Sequence, residues 1–308
     1  MTAITRHLPI VALIAAVLVA STPAARAQES YATPEAASQA LVDAVRSDNR
    51  RAVLSVLGRD AADIVSSGDD VADADIKRRF LAAYDEGHHV GRGADNQTVL
   101  FLGNDDFPFP IPLVRKDGSW QFDTDAGRLE ILYRRIGRNE LAAIQTALAY
   151  VDAQKEYAEN DHGSGGSGAY AQRFVSRDGK TDGLYWPALE GRGVSPLGVF
   201  AALASAEGYG LTKQRQPYHG YYFKILTSQG ANARGGAVDY VVRGRMIGGF
   251  ALVAYPAEYG NSGVKTFLVN HEGTVFEKDL GPRSAVMAER MRSFNPDQTW
   301  KKVDADDQ

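Results

Sequence analysis

From Ala126 to Tyr157 the chain keeps a helical rhythm longer than any other in the sequence. Leu141, Ile144, Leu148 and Val151 recur at three- and four-residue steps, and the loop DHGSGGSGA closes the stretch. A helix rises about 1.5 Å per residue, so this segment outlasts the helices of a small bundle and predicts a spine with parts packed along it. Gly137 is the place where such a spine would kink. The residues on its two sides carry different periods, which predicts an α+β protein with a first unit over 28–125 and a second over 126–308.

Ahead of the spine the pattern is helical and then extended. Thr33 is placed to cap a helix that opens with Pro34 and Glu35 and repeats Ala37, Leu41 and Val45. A second helix over Arg50–Leu57 stops at Gly58, and a third over Ala74–Glu86 aligns Ile76, Phe80 and Tyr84. The segments TVLFLG and IPLVRKDGSWQFD then read as strands, with Asp117-Gly118 as a hairpin turn. Helices followed by a curved sheet resemble the cone-shaped nuclear-transport-factor-like folds in element order.

Beyond the spine, Ser195 is expected to cap a short helix around Val199–Ala206. The runs YHGYYFKIL, AVDYVVR, GFALVAYP, VKTFLVN and TVFEKD follow, separated by Gly, Asn and Pro turns, and predict an antiparallel meander. A last short helix near Ala285–Met291 precedes the tail. With the spine covering one face of this meander, the opposite face is expected to be open to partners.

The N-terminus carries Arg6 and His7, an apolar run from Leu8 to Ala20, and the triplet Ala25-Arg26-Ala27, so residues 1–27 read as a secretory signal cut before Gln28. The apolar run is shorter than the roughly 20 residues a spanning helix needs, and membrane insertion after cleavage is not expected. The mature chain is therefore expected in the periplasm or outside the cell. With no cysteine, disulfides and thiolate chemistry are excluded. The formal net charge is −4, more negative once Arg6 and Arg26 leave, and no basic stripe points to nucleic acid.

The stretches IGRNELAAIQTALAYVDAQKEYA, DGLYWP, SPLG, YHGYYFKILTSQG, GGFALVAYPAEYG and GTVFEKDLG together resemble a family of bacterial exported proteins, domain-of-unknown-function family 2950. That resemblance spans nearly all of the mature chain and implies an exported protein without implying an activity. The long helix, loop and sheet of the second half are also similar to the globular part of type IV pilin-like proteins. Pilins open with a hydrophobic filament-forming helix, whereas this spine is amphipathic and lies behind a separate unit.

Candidate chemistry is sparse. His219, next to Tyr218 at a strand start, is the histidine best placed for general-base work, with Tyr222 or Glu258 as a partner. Adjacent His88 and His89 lack the i, i+4 spacing of a helical zinc pair and read as a solvated helix end, so no metal is expected. His271 reads as a hairpin residue, and Asp279 as a turn carboxylate. Gly163-x-Gly165-x-x-Gly168 follows a helix where a dinucleotide fingerprint follows a strand, and Gly179-Lys180-Thr181 lacks the earlier glycine of a phosphate loop. No cofactor is expected.

Aromatic residues are the richer signal. Tyr185, Trp186, Tyr221, Tyr222 and Tyr259 combine an apolar body with a polar tip, the composition of a contact surface for an envelope protein, a peptide or a glycan. The expected function is thus a non-enzymatic exported binding or scaffold protein. A periplasmic hydrolase with His219 as general base is the alternative.

Overall fold

The computed structural model describes residues 28–93, 96–162, 167–187, 193–210 and 216–303. The expected signal segment and the glycines at 163 and 165 lie outside the described residues.

Helices α1 (Pro34–Arg46) and α2 (Arg50–Leu57) start where side chains satisfy their free N–H groups. The Thr33 hydroxyl accepts from the Ala36 N–H at 3.1 Å, and Asn49 accepts from Arg51 and Ala52. After the single turn α3 (Ala62–Val65), α4 spans Asp70–Glu86 and begins four residues before the expected Ala74. The polar stretch before it is the cap: Asp69 Oδ1 accepts from the N–H groups of Val71 and Ala72.

Gly87 ends α4, and β1 (His88–Arg92) runs antiparallel to β2 (Thr98–Leu102). His88 and His89 therefore lie in a strand and not at a solvated helix end. Their rings stack on Tyr84 and Phe101, with centroids 3.6 and 5.0 Å apart. The short β3 (Phe107–Pro108) also pairs with β2, and β4 (Leu113–Lys116) and β5 (Ser119–Phe122) complete the sheet in the order β1-β2-β4-β5. Asp117 and Gly118 both take positive φ, as a two-residue hairpin turn requires. Leu41, Val53 and Val56 close on Ile111, Leu113 and Phe122 to form the first core.

The spine is one continuous helix, α5 (Thr124–Glu159), of 36 residues, helical through Gly137. Ile131 and Leu132 pack on the first core, and the stretch from Ala143 to Tyr157 enters a second, larger one. Next comes α6 (Gly198–Glu207). No side chain caps it, and only the backbone carbonyl of Ser195 accepts from Gly198, so the expected capping role of Ser195 is corrected.

The C-terminal half is the predicted antiparallel meander. Its strands are β6 (Tyr221–Leu226), β7 (Ser228–Gln229), β8 (Val238–Asp239), β9 (Val241–Val242), β10 (Arg245–Met246), β11 (Ala251–Pro256), β12 (Lys265–Asn270) and β13 (Val275–Asp279). Helix α7 (Ser284–Arg290), β14 (Ser293–Phe294) and β15 (Lys301–Lys302) follow. The main sheet has the order β15-β13-β12-β11-β6, with every pair antiparallel. AVDYVVR, expected as one strand, is divided between β8 and β9, which belong to two different small sheets.

The expectation of one open face fails. Every residue of β11 is buried, those pointing to either side alike. Helix α5 covers one side, where Tyr150 meets Phe250 edge-on, and α7 and β14 cover the other, where Phe294 meets Phe276. The cause is legible in GFALVAYP, apolar at nearly every position, and in the consecutive Phe267, Leu268 and Val269 of β12, where a half-exposed strand would alternate. What the main sheet leaves unpaired is therefore an edge.

Candidate functional site

The two halves meet along a buried polar seam, and its residues set the position of the hairpin that leads into β6. Arg135 of α5 is 4% exposed. It donates to the carbonyls of Asp63 and Ile64 at 2.7 and 2.6 Å and to the side chain of Asn261. One turn on, Asn139 donates to the Ser262 carbonyl at 2.9 Å, and Asn261 returns a bond to the Ser66 carbonyl at 3.0 Å. Asp69, 1% exposed, spans the seam with its second oxygen, accepting from the Tyr209 hydroxyl and the Gly220 N–H at 2.9 Å each.

His219 and Gly220 occupy the two central positions of a tight turn, with φ of 46° and 73°, and Tyr218 and Tyr221 bond to each other across it. A β-carbon on Gly220 would stand 2.6 Å from Asn139 Nδ2, so glycine is demanded by space as well as by φ. The left-handed conformation of His219 is held in place by this seam.

Two concavities flank the hairpin. The first, about 350 Å³, is an aromatic cavity. Tyr185, Tyr218, Tyr221 and Tyr222 line it with Phe200 of α6 and Tyr150 of α5. Tyr218 and Tyr222 are half-buried. Burial first, and then the nearby Glu207 carboxylate, push the Tyr218 phenol up to about 12.

Three consecutive residues, Tyr221, Tyr222 and Phe223, line this cavity, although alternate residues of a strand point to opposite faces. The cavity therefore wraps the edge of β6. The Ala257 N–H donates to the Gly220 carbonyl, and the antiparallel alternation from there turns Tyr222, Lys224 and Leu226 toward β11. Tyr221, Phe223 and Ile225 then point their N–H and C=O groups away from the sheet. Tyr221 is satisfied by Tyr218, and Thr227, next in the same series, by Arg292 and Tyr240. Between them, the backbone groups of Phe223 and Ile225 have no partner among the described residues.

The second concavity, about 370 Å³, lies between α4, α5 and the hairpin and sets charged side chains among apolar ones. Arg79, Arg135 and Arg138 line it with His219 and Glu207, and Tyr209 forms a wall common to both concavities. His219 Nε2 lies 3.2 Å from Glu207 Oε2. Its acidic neighbour is thus Glu207 and not the anticipated Glu258, which instead accepts from Asn261 at 2.7 Å in the seam.

Of the aromatic candidates, Tyr185, Tyr221 and Tyr222 come together in the cavity with Tyr218. Trp186 does not line it: at 4% exposure it is a core residue whose indole N–H donates to the Gly193 carbonyl. Tyr259 lies between β11 and β12, bonded to Asp279. Glu207, Phe200, Tyr150 and Arg135 join the two concavities without standing out in the sequence. Each sits in helical periodicity and carries no local mark of its site. Among the described residues no three His, Asp or Glu side chains converge as a metal set, and no helix is long and apolar enough to cross a membrane.

A family model described as protein of unknown function (DUF2950) matches residues 28–303. No curated protein and no solved structure matches the chain.

Proposed function

The chain belongs to the DUF2950 family of proteins of unknown function, and from that premise we propose that it is an exported, non-enzymatic binding protein that captures an extended peptide segment along β6. The observation that carries this reading is the outward edge of β6, where the backbone groups of Phe223 and Ile225 have no partner among the described residues and Phe223 lines the aromatic cavity. A peptide in extended conformation supplies complementary groups at the same spacing, and alternate side chains find the cavity wall of Tyr185, Tyr218 and Tyr222. Glycans also stack on tyrosine, but they present no repeating amide to a strand edge. The signal pattern of residues 1–27 supports export, which directs the search toward peptides of envelope proteins.

The test is a displayed-peptide library and a glycan array, each screened with the mature chain, with calorimetry on the best binders. Ile225→Pro removes one outward N–H, worth about 1 kcal/mol, and should weaken peptide binding roughly fivefold. Tyr222→Ala should weaken it further. Selection of glycans and no peptides, or peptides that bind Ile225→Pro as tightly as the parent, would end this reading.

A hydrolase with His219 as general base draws support from the 3.2 Å contact with Glu207, since a base needs an orienting partner. An activity on any substrate that survives His219→Ala unchanged removes it.

A further inference from the structure

The cleft between α4, α5 and the hairpin holds more positive charge than its own carboxylates engage. Asp75 is held by Arg78 at 2.9 Å and by Arg79, and Glu207 is held by His219. Arg135 and Arg138 also line the cleft, and among the described residues neither has a carboxylate within ion-pair distance. A guanidinium keeps its proton in a protein, so this charge is permanent.

Arg135 is the more telling of the two. It is 4% exposed, its hydrogen bonds all go to neutral oxygens, and its Nε has no partner. Burial holds its pKa below the ordinary arginine value, and the charge of Arg138 on the same helix pushes the same way. Asp73 and Asp63, each acting more strongly than Arg138, and then Glu258 oppose this, but none of the three forms an ion pair with Arg135. A buried cation is costly unless a counter-charge comes close, and the lining leaves room for one.

We propose that this cleft is a receptor for a small oxyanion, a carboxylate or a phosphate group. Arg138 and Arg79 are the exposed donors that contact it, the amide of Gln145 adds a neutral donor, and Arg135 contributes its charge from the buried wall. Guanidinium groups suit this task because their paired N–H donors match the two oxygens of a carboxylate or phosphate edge. The site is separate from the strand edge of β6, so either can fail without the other.

The test is calorimetric titration of the mature chain with inorganic phosphate and, separately, with citrate at constant ionic strength. Saturable one-to-one binding of at least one of them is expected, weakened about tenfold by Arg138→Gln, in line with the loss of one charge-assisted contact. Arg79→Gln should weaken it as well, and serves in place of Arg138→Gln if that variant does not fold. Arg283→Gln, an exposed arginine outside the cleft, should bind as the parent does. Preference between the two probes separates a phosphate ester from a carboxylate as the natural group. The proposal is overturned if neither anion saturates below about 10 mM, or if both cleft variants bind as tightly as the parent.

Discussion

Replacing Gly220 by alanine tests whether the hairpin is locked into the seam, because one methyl group there meets two separate penalties. The first is conformational: Gly220 has φ +73°, and a residue with a β-carbon loses roughly 1–2 kcal/mol in that region. The second is steric. The added carbon would stand 2.6 Å from Asn139 Nδ2 and 2.9 Å from Ser262 Cβ. Neither neighbour moves freely, since Asn139 is 6% exposed and its amide already donates to the Ser262 carbonyl. Overpacking of this kind costs about 1–3 kcal/mol, so Gly220→Ala should lose roughly 2–5 kcal/mol from a total near 5–15. Gly118→Ala is the reference: φ is +84°, yet nothing lies within 4 Å of the new carbon, so only the conformational penalty of roughly 1–2 kcal/mol applies. Urea unfolding monitored by tryptophan fluorescence, compared at a common m-value, gives both numbers. Adding Asn139→Ala removes the nearer obstruction, and in that background the cost of Gly220→Ala should fall but stay above that of Gly118→Ala, because Ser262 Cβ remains 2.9 Å from the added carbon. Equal costs for the two glycines in the parent protein would refute the reasoning.

Two further outcomes follow from the same packing. Asp69→Ala removes a helix cap and the shared acceptor of Tyr209 and Gly220 at a site 1% exposed, so about 3 kcal/mol should be lost, and Asp69→Asn, which keeps one acceptor oxygen, should lose less. In alkali, Tyr157, Tyr218 and Tyr240 have folded pKa values pushed up to about 12 from 10.0, with burial the first cause in each. The folded state thus favours the neutral phenols: stability is intact below pH 10 and falls as pH rises toward 12, and circular dichroism flat across that window would contradict it.

The features legible in the sequence are those governed by a few adjacent residues. The long helix follows from apolar spacing, the Thr33 cap from one hydroxyl beside free N–H groups, and the Asp117-Gly118 turn from the two residues that tolerate positive φ. The α+β class follows from the change of period along the chain. The start of α4 lies earlier than periodicity indicates, because the SSGDD stretch reads as loop until Asp69 is seen to be its cap. The second face of the main sheet is covered because its central β11 is an unbroken apolar run and β12 holds Phe267, Leu268 and Val269 in succession, in place of the alternation of a half-exposed sheet.

The candidate sites depended on what lies across the seam. Asp69 meets Gly220 over 151 positions, and Arg135 meets Asn261 over 126. Local patterns decide which segments are helix or strand, since propensity and capping act within one or two turns of chain. They do not decide which buried donor finds which acceptor, which carboxylate faces His219, or which strand edge is left without a neighbour. Desolvation penalises every polar group the core encloses, wherever in the chain it comes from, and only the assembled structure determines how each is satisfied.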